Sequence, residues 1–222
     1  MYSLNCYNWN NVVPKQYIWE ITCGYHALRN AVNFYRILVQ INNFIDKNNY
    51  LNSVYQNQNF MILKSESTML NSIKEYQKIT KKRGNVTFKD LNKIKNKLYS
   101  NYPIQILYNL NNVDLQLKEN DIKILIMHRE KYEISKHWIP IVIHKINNQI
   151  NLHIIDSFDS TWYGTDLIND IIKILQNKYN ITKLNCNNNS VNNFIKMSFT
   201  KMIDLSILII FLFILIYTSF KN

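Results

Sequence analysis

Cys23-Gly24-Tyr25-His26-Ala27-Leu28-Arg29-Asn30 decides how this chain is read. From Gly24 to about Gln40, Ala27, Leu28, Ala31, Val32, Tyr35, Leu38 and Val39 recur at helical spacing, so the stretch predicts an amphipathic helix packed on a core. Thr22 is placed to cap it, which leaves Cys23 in the first turn. There the unpaired N–H groups and the helix dipole favour an anion, the form in which a thiol is nucleophilic. Gly24 beside it is expected to admit a close approach to the thiol and to line a cleft.

Outward from that helix, Ser67 to Lys82 predicts a second helix ended by Gly84, and the capping signature Thr87-Phe88-Lys89-Asp90 starts a third, reaching Tyr99. Asn42 to Asn59 is polar, with room for one short helix. The period then changes. Ile104–Tyr108, Ile122–His128, His137–Ile146 and Gln149–Asp156 predict strands, the last two joined by an Asn147-Asn148 type I′ turn. Asp166 to Tyr179 returns to helical spacing. The fold class expected is α+β: a helical lobe carrying Cys23, packed on an antiparallel sheet.

The hairpin supplies a partner for the thiol. A two-residue turn pairs Ile146 with Gln149 and, carried along the strands, Ile139 with Asp156. His137 and Asp156 are then diagonal neighbours on one face, within reach of a hydrogen bond, at the open end of an apolar row of Ile139, Ile141, Ile143, Leu152 and Ile154. His137 is the candidate base and Asp156 its orienting group. Trp138 is expected either to shield that pair from water at the cleft or to serve as core. Gln16, seven residues before Cys23, is the candidate oxyanion donor beside the Cys23 N–H, with Asn10 and Asn11 as competitors. His26, His128, His144 and His153 are assigned structural roles, the last two on the opposite face of the hairpin.

Composition narrows the class further. The chain has 222 residues and 47% hydrophobic content, enough for one domain with a real core. Three Gly and three Pro argue against a many-turned β-sandwich. The net charge of +11 comes from Lys scattered among Asn, Ile and Tyr, without an Arg-rich or aromatic-interleaved stripe, so no nucleic-acid partner is expected. Cys6, Cys23 and Cys186 suggest neither a disulfide framework nor a metal cluster, and no metal or cofactor is expected. Met1 to Asn11 is polar, without the apolar core of a secretory signal, so a reducing cytosol is expected around the domain.

The domain is expected over residues 1–184, an Asn-rich linker over 185–200 and a tail anchor over 201–222. Leu205 to Phe220 carries no charge and is apolar all round. As a helix it is roughly 24 Å long against a hydrocarbon core of about 30 Å, with Lys201 and Lys221 able to snorkel. With so little chain after Phe220, the domain is expected on the cytosolic side of an intracellular membrane, such as the endoplasmic reticulum or the mitochondrial outer membrane.

Cys-x-x-His-x-Leu-x-Asn, present as Cys23, His26, Leu28 and Asn30, resembles the nucleophile helix of Josephin-type deubiquitinases, within the papain-like cysteine proteases. Those enzymes also carry a Gln shortly before the nucleophile and a later His-Trp, matched by Gln16 and His137-Trp138; Asp156-Ser157 stands where they have Asn-Ser. The resemblance implies a papain-like thiol protease fold and cleavage of ubiquitin or a ubiquitin-like modifier from conjugates. The same Cys-His-Asp set serves acyltransferases of the arylamine or transglutaminase type, and a silent membrane-anchored adaptor that only binds a modifier is the third reading.

Overall fold

A computed structural model describes residues 1–9, 12–13, 21–42, 49–57, 66–111, 113–131, 135–156 and 161–186. Met1–Cys186 forms one compact unit. Its elements run β1 (Tyr2–Asn8), α1 (Cys23–Asn42), α2 (Tyr50–Gln56), α3 (Glu66–Thr80), α4 (Phe88–Leu98), β2 (Ile104–Leu107), β3 (Ile122–Lys131), β4 (Ser135–Ile146), β5 (Gln149–Ile154), α5 (Thr161–Lys178) and β6 (Ile181–Asn185). The class is α+β, and each helix and strand expected from periodicity is present. The expected capping box is realised in α4, where the Thr87 side chain accepts from Asp90 N–H and the Asp90 side chain accepts from Thr87 N–H. Helix α3 ends earlier than expected. Lys81 takes the left-handed conformation (φ 62°) and stops it, not Gly84.

The sheet departs from the antiparallel expectation. It has six strands in the order β2-β3-β4-β5-β1-β6. β3–β4 and β4–β5 are antiparallel, whereas β2–β3, β5–β1 and β1–β6 are parallel. The reason is β1, which lies between β5 and β6 although its sequence, Tyr-Ser-Leu-Asn-Cys-Tyr-Asn, shows little apolar content. Leu4 and Cys6 face one side, in a core with Ile139, Ile141, Ile143, Ile150 and Leu152 beneath Leu167, Ile171 and Leu175 of α5. On the other side Asn5 sits between Asn151 and Asn185 in register, and amide hydrogen bonds of 3.0 Å and 2.9 Å run across the three strands. Side-chain ladders of this kind fix a register that apolar content alone leaves loose.

β6 continues to Asn185, so the domain extends past the expected boundary at 184. Cys186 is disulfide-bonded to Cys6, contrary to the expectation from cysteine count. The sequence separation of 180 residues hides the pair, because no periodicity marks β1 or β6 as a strand. A disulfide belongs with oxidising compartments, so the cysteine argument for a reducing one no longer holds. No helix among the described residues is long and apolar enough to cross a membrane. The expected linker beyond Cys186 and the tail at 201–222 lie outside the described residues.

The β4–β5 register is the one expected, Ile146 opposite Gln149 through Ile141 opposite Ile154. The turn is different. Of the two turn residues only Asn147 has positive φ (53°), so it is not the type I′ turn, which needs both.

Candidate functional site

Cys23 is the first residue of α1, half-buried, and is the cysteine among the described residues that is not in a disulfide. The carbonyl of Thr22 accepts from Tyr25 N–H (2.9 Å) and His26 N–H (3.1 Å), so the helix begins where the sequence placed it. α1 crosses the sheet face that carries Trp138 and His153. Phe34 packs on His153 at 4.7 Å between ring centroids, and Gly24 abuts Trp138.

His137, on β4, and Asp156, just past β5, are both buried. His137 Nε2 lies 2.8 Å from Asp156 Oδ1 and 3.0 Å from Oδ2. Local sequence explains how Asp156 gets there. Ile155 N–H donates to Pro140 O (3.1 Å), which carries the hairpin register one residue beyond β5. The reciprocal bond cannot form, because Pro140 has no N–H. The ladder therefore ends, and Asp156 turns toward His137 on the same face.

The Cys23 side chain is a further hydrogen-bond partner of His137. Burial by itself pushes the imidazole down. The hydrogen bonds to Asp156 and Cys23, with the Coulombic effect of both groups, outweigh it and raise His137 to about 10. The ring is an imidazolium at neutral pH, donating from Nε2 to the Asp156 carboxylate. Three residues far apart in the chain thus share one hydrogen-bonded site.

The strap that closes this site was not visible in the sequence. Asn85, in the left-handed conformation (φ 50°), donates its N–H to Ile21 O at 2.8 Å, and Trp138 Nε1–H donates to Val86 O at 3.0 Å. The connection between α3 and α4 therefore holds both Ile21, two residues before α1, and Trp138, the residue after His137. Gly24 and Trp138 were expected at a cleft. Both are buried, and the close approach that Gly24 permits is made by protein: a Cβ there would lie 3.0 Å from Val86 Cβ and 3.1 Å from Trp138 Cδ1. Gly84 is pressed harder, since its Cβ would lie 2.3 Å from Ile21 Cγ1 and 2.7 Å from Ile21 O. Gln16, its competitors Asn10 and Asn11, and Ser157 lie outside the described residues.

The remaining histidines have structural settings. His26 is buried in α1; burial first, then the charges of Arg29 and His137, lower it to about 4, so it is neutral. His128 packs at a tilt against Trp138 (4.6 Å between ring centroids) and edge-on to Tyr108 (5.2 Å). His144 and His153 do lie on the face opposite His137, and there they join a network that sequence reasoning missed. Trp9 Nε1–H donates to His153 Nδ1 (3.0 Å), Tyr50 Oη lies 2.8 Å from His153 Nε2 and 2.9 Å from His144 Nδ1, and His144 Nε2 lies 2.8 Å from Asn42 Oδ1. Indole nitrogen can only donate, and this sets the direction of the whole chain. His153 accepts at Nδ1 and donates from Nε2 to Tyr50, Tyr50 donates to His144, and His144 donates to Asn42. Burial, then the neighbouring His144, hold His153 well below its ordinary value. Trp9 and Tyr50 lie in stretches rich in Asn, which concealed them.

Among the described residues no group of three or more His, Cys, Asp or Glu side chains is placed to hold a metal ion. The arrangement brings together the groups that thiol-dependent acyl transfer requires: a thiol, an imidazolium and a carboxylate bonded to the ring. No family model matches the chain, and comparison with curated proteins and with solved structures finds no similar protein.

Proposed function

We propose that the protein is a thiol hydrolase that cleaves ubiquitin or a ubiquitin-like modifier from conjugates. The observation that carries the reaction class is the Asp156–His137 pair at 2.8 Å with the Cys23 thiol as its third member. The choice of substrate rests on the resemblance of Cys23, His26, Leu28, Asn30 and His137-Trp138 to Josephin-type deubiquitinases.

In this reading the Cys23 thiolate attacks the carbonyl carbon at the modifier C-terminus. The carbonyl π electrons move to oxygen, which the Cys23 N–H and Gln16 receive. Collapse of the tetrahedral intermediate breaks the C–N bond, and His137 gives a proton to the departing amine. Water then attacks the thioester carbonyl while His137 takes its proton; collapse of that adduct breaks the C–S bond, the electron pair leaves on the Cys23 sulfur, and the carboxylic acid is released. Asp156 holds the ring through its Nε2–H. The apolar stretch 205–220 is proposed as the anchor that fixes the enzyme to a membrane.

The test is a ubiquitin-amide reporter together with a panel of electrophilic modifier probes. The wild type is expected to turn over the reporter and to be modified at Cys23, and Cys23→Ala to lose at least about 10³-fold in rate. Cleavage by Cys23→Ala at the wild-type rate, or a probe adduct elsewhere than Cys23, would overturn the proposal.

A further inference from the structure

On the outer face of α1, about two thirds of the helix away from Cys23, Asn33, Tyr35, Arg36, Val39 and Gln40 meet Asn101 and Tyr102 from the turn after α4. They line a groove of about 490 Å³. That size lies within the range of ligand sites. Its chemistry is specific: one guanidinium, two phenol rings, three carboxamides and one aliphatic side chain, with no acidic residue in the lining.

Arg36 is held rather than loose. Its Nε–H donates to Tyr102 Oη (3.2 Å), its Nη1 to Asn33 Oδ1 (3.4 Å), and its Cζ stands 5.9 Å from the Tyr102 ring centroid. Tyr102 is itself packed against Tyr35 (5.0 Å) and Tyr99 (5.3 Å). Two aromatic contacts thus brace the side chain that positions the cation. Among the described residues, the ion pairs join Lys82 to Asp90, Lys123 to Asp114, Lys173 to Asp170 and His137 to Asp156, so no carboxylate neutralises Arg36. A guanidinium oriented by neutral partners keeps an N–H edge for an external oxyanion, in the planar geometry that suits a carboxylate.

We infer that this groove is an exosite that receives an acidic peptide segment of a protein partner, with a Glu or Asp carboxylate on Arg36 and the adjoining backbone on the carboxamides. The identity of that partner as the substrate rests on the hydrolase reading given above. Arg36 is thirteen residues along α1 from Cys23, about 20 Å at 1.5 Å per residue, a span that a protein substrate covers and a small ester does not. The net charge of +11 also favours an acidic partner.

The experiment measures binding of fluorescein-labelled tetraglutamate to the full chain in non-ionic detergent at 0.15 M salt, by fluorescence anisotropy. Saturable binding is expected, weakened about tenfold by Arg36→Glu. Tyr102→Phe, which keeps the ring and removes the hydroxyl that orients Arg36, is expected to weaken it about threefold. Lys173→Glu makes the same change of charge on α5, where Lys173 is 72% exposed, and is expected to leave affinity within about twofold. Unsaturable binding, or equal weakening by Arg36→Glu and Lys173→Glu, would overturn the exosite. The rate of Cys23 alkylation by iodoacetamide is expected to be unchanged in Arg36→Glu, which reports an intact fold. Tetraglutamate binding without thiol-dependent cleavage would remove the hydrolase reading and leave the groove. Cleavage without tetraglutamate binding would do the reverse.

Discussion

At the scale of single residues, the decisive balance is at His137. Burial opposes its charge, while Asp156 and the sulfur favour it, and the second influence wins by enough to keep the proton to about pH 10. Asp156→Asn separates charge from orientation, because the amide oxygen still accepts from Nε2–H. The sign follows directly: without the carboxylate charge the imidazolium loses its main support, so the midpoint must fall. The proton signal of the His137 ring, followed through a pH titration, is expected to move down by at least about one unit. An unmoved midpoint would show that Asp156 does not govern the ring. The pair itself was legible, because it needed only the hairpin register and the period of two. The role of Pro140 was not, since a missing donor matters only once its strand partner is known.

At the scale of elements, α1 is placed by its apolar stripe, although its two ends behave differently from the simple pattern. Phe34, Ile37 and Ile41 are buried, while Val39, expected in the stripe, is 37% exposed. His26, Arg29 and Asn30 are buried as well, so the first half of the helix is enclosed almost all round. The enclosing piece is the 84–86 connection, which crosses at Gly24. Gly24→Ala is expected to destabilise the fold by about 1–3 kcal/mol, because the added methyl overlaps Val86 and Trp138. Val86→Ala in the same chain is expected to recover a good part of that loss, a coupling that urea unfolding of the four-member cycle measures. Additive losses would mean that the crowding at Val86 is not the cause. The contact joins residues 62 apart in a segment with no apolar period, which is why only coordinates could reveal it.

At the scale of the whole molecule, the Trp9–His153–Tyr50–His144–Asn42 chain ties the residue after β1 to β5, β4, α1 and α2. Its direction leaves no place for an added proton on His153, and His26 in α1 is also held neutral, to about pH 4. Both folded-state values lie below the unfolded value of about 6.5. The stability they contribute is therefore complete above pH 6.5. It is lost as pH falls, since the unfolded chain takes up protons that the folded one refuses. Each such group adds a slope of up to about 1.4 kcal/mol per pH unit below 6.5. Urea unfolding between pH 7 and 4 is expected to show the combined slope. Tyr50→Phe, which leaves two ring nitrogens without their bridging hydroxyl, is expected to cost about 1–3 kcal/mol at pH 7. A flat acid limb would mean that neither imidazole is held neutral.

The amino-acid sequence by itself determined the local elements of this protein: the helix that opens at Cys23, the Thr87 cap, the strands and the hairpin register that sets His137 beside Asp156. Each depends on periodicity or on neighbours a few residues apart, and such signals are written along the chain. Tertiary structure alone decided that a polar N-terminal segment is an inner strand, that Cys6 meets Cys186, that Val86 rather than a ligand fills the space at Gly24, and that two histidines on the far face share one tyrosine. Those outcomes depend on which distant segments are brought together. For an asparagine or a tyrosine the hydrogen-bond partner, and not the residue type, determines whether it is buried or left in water.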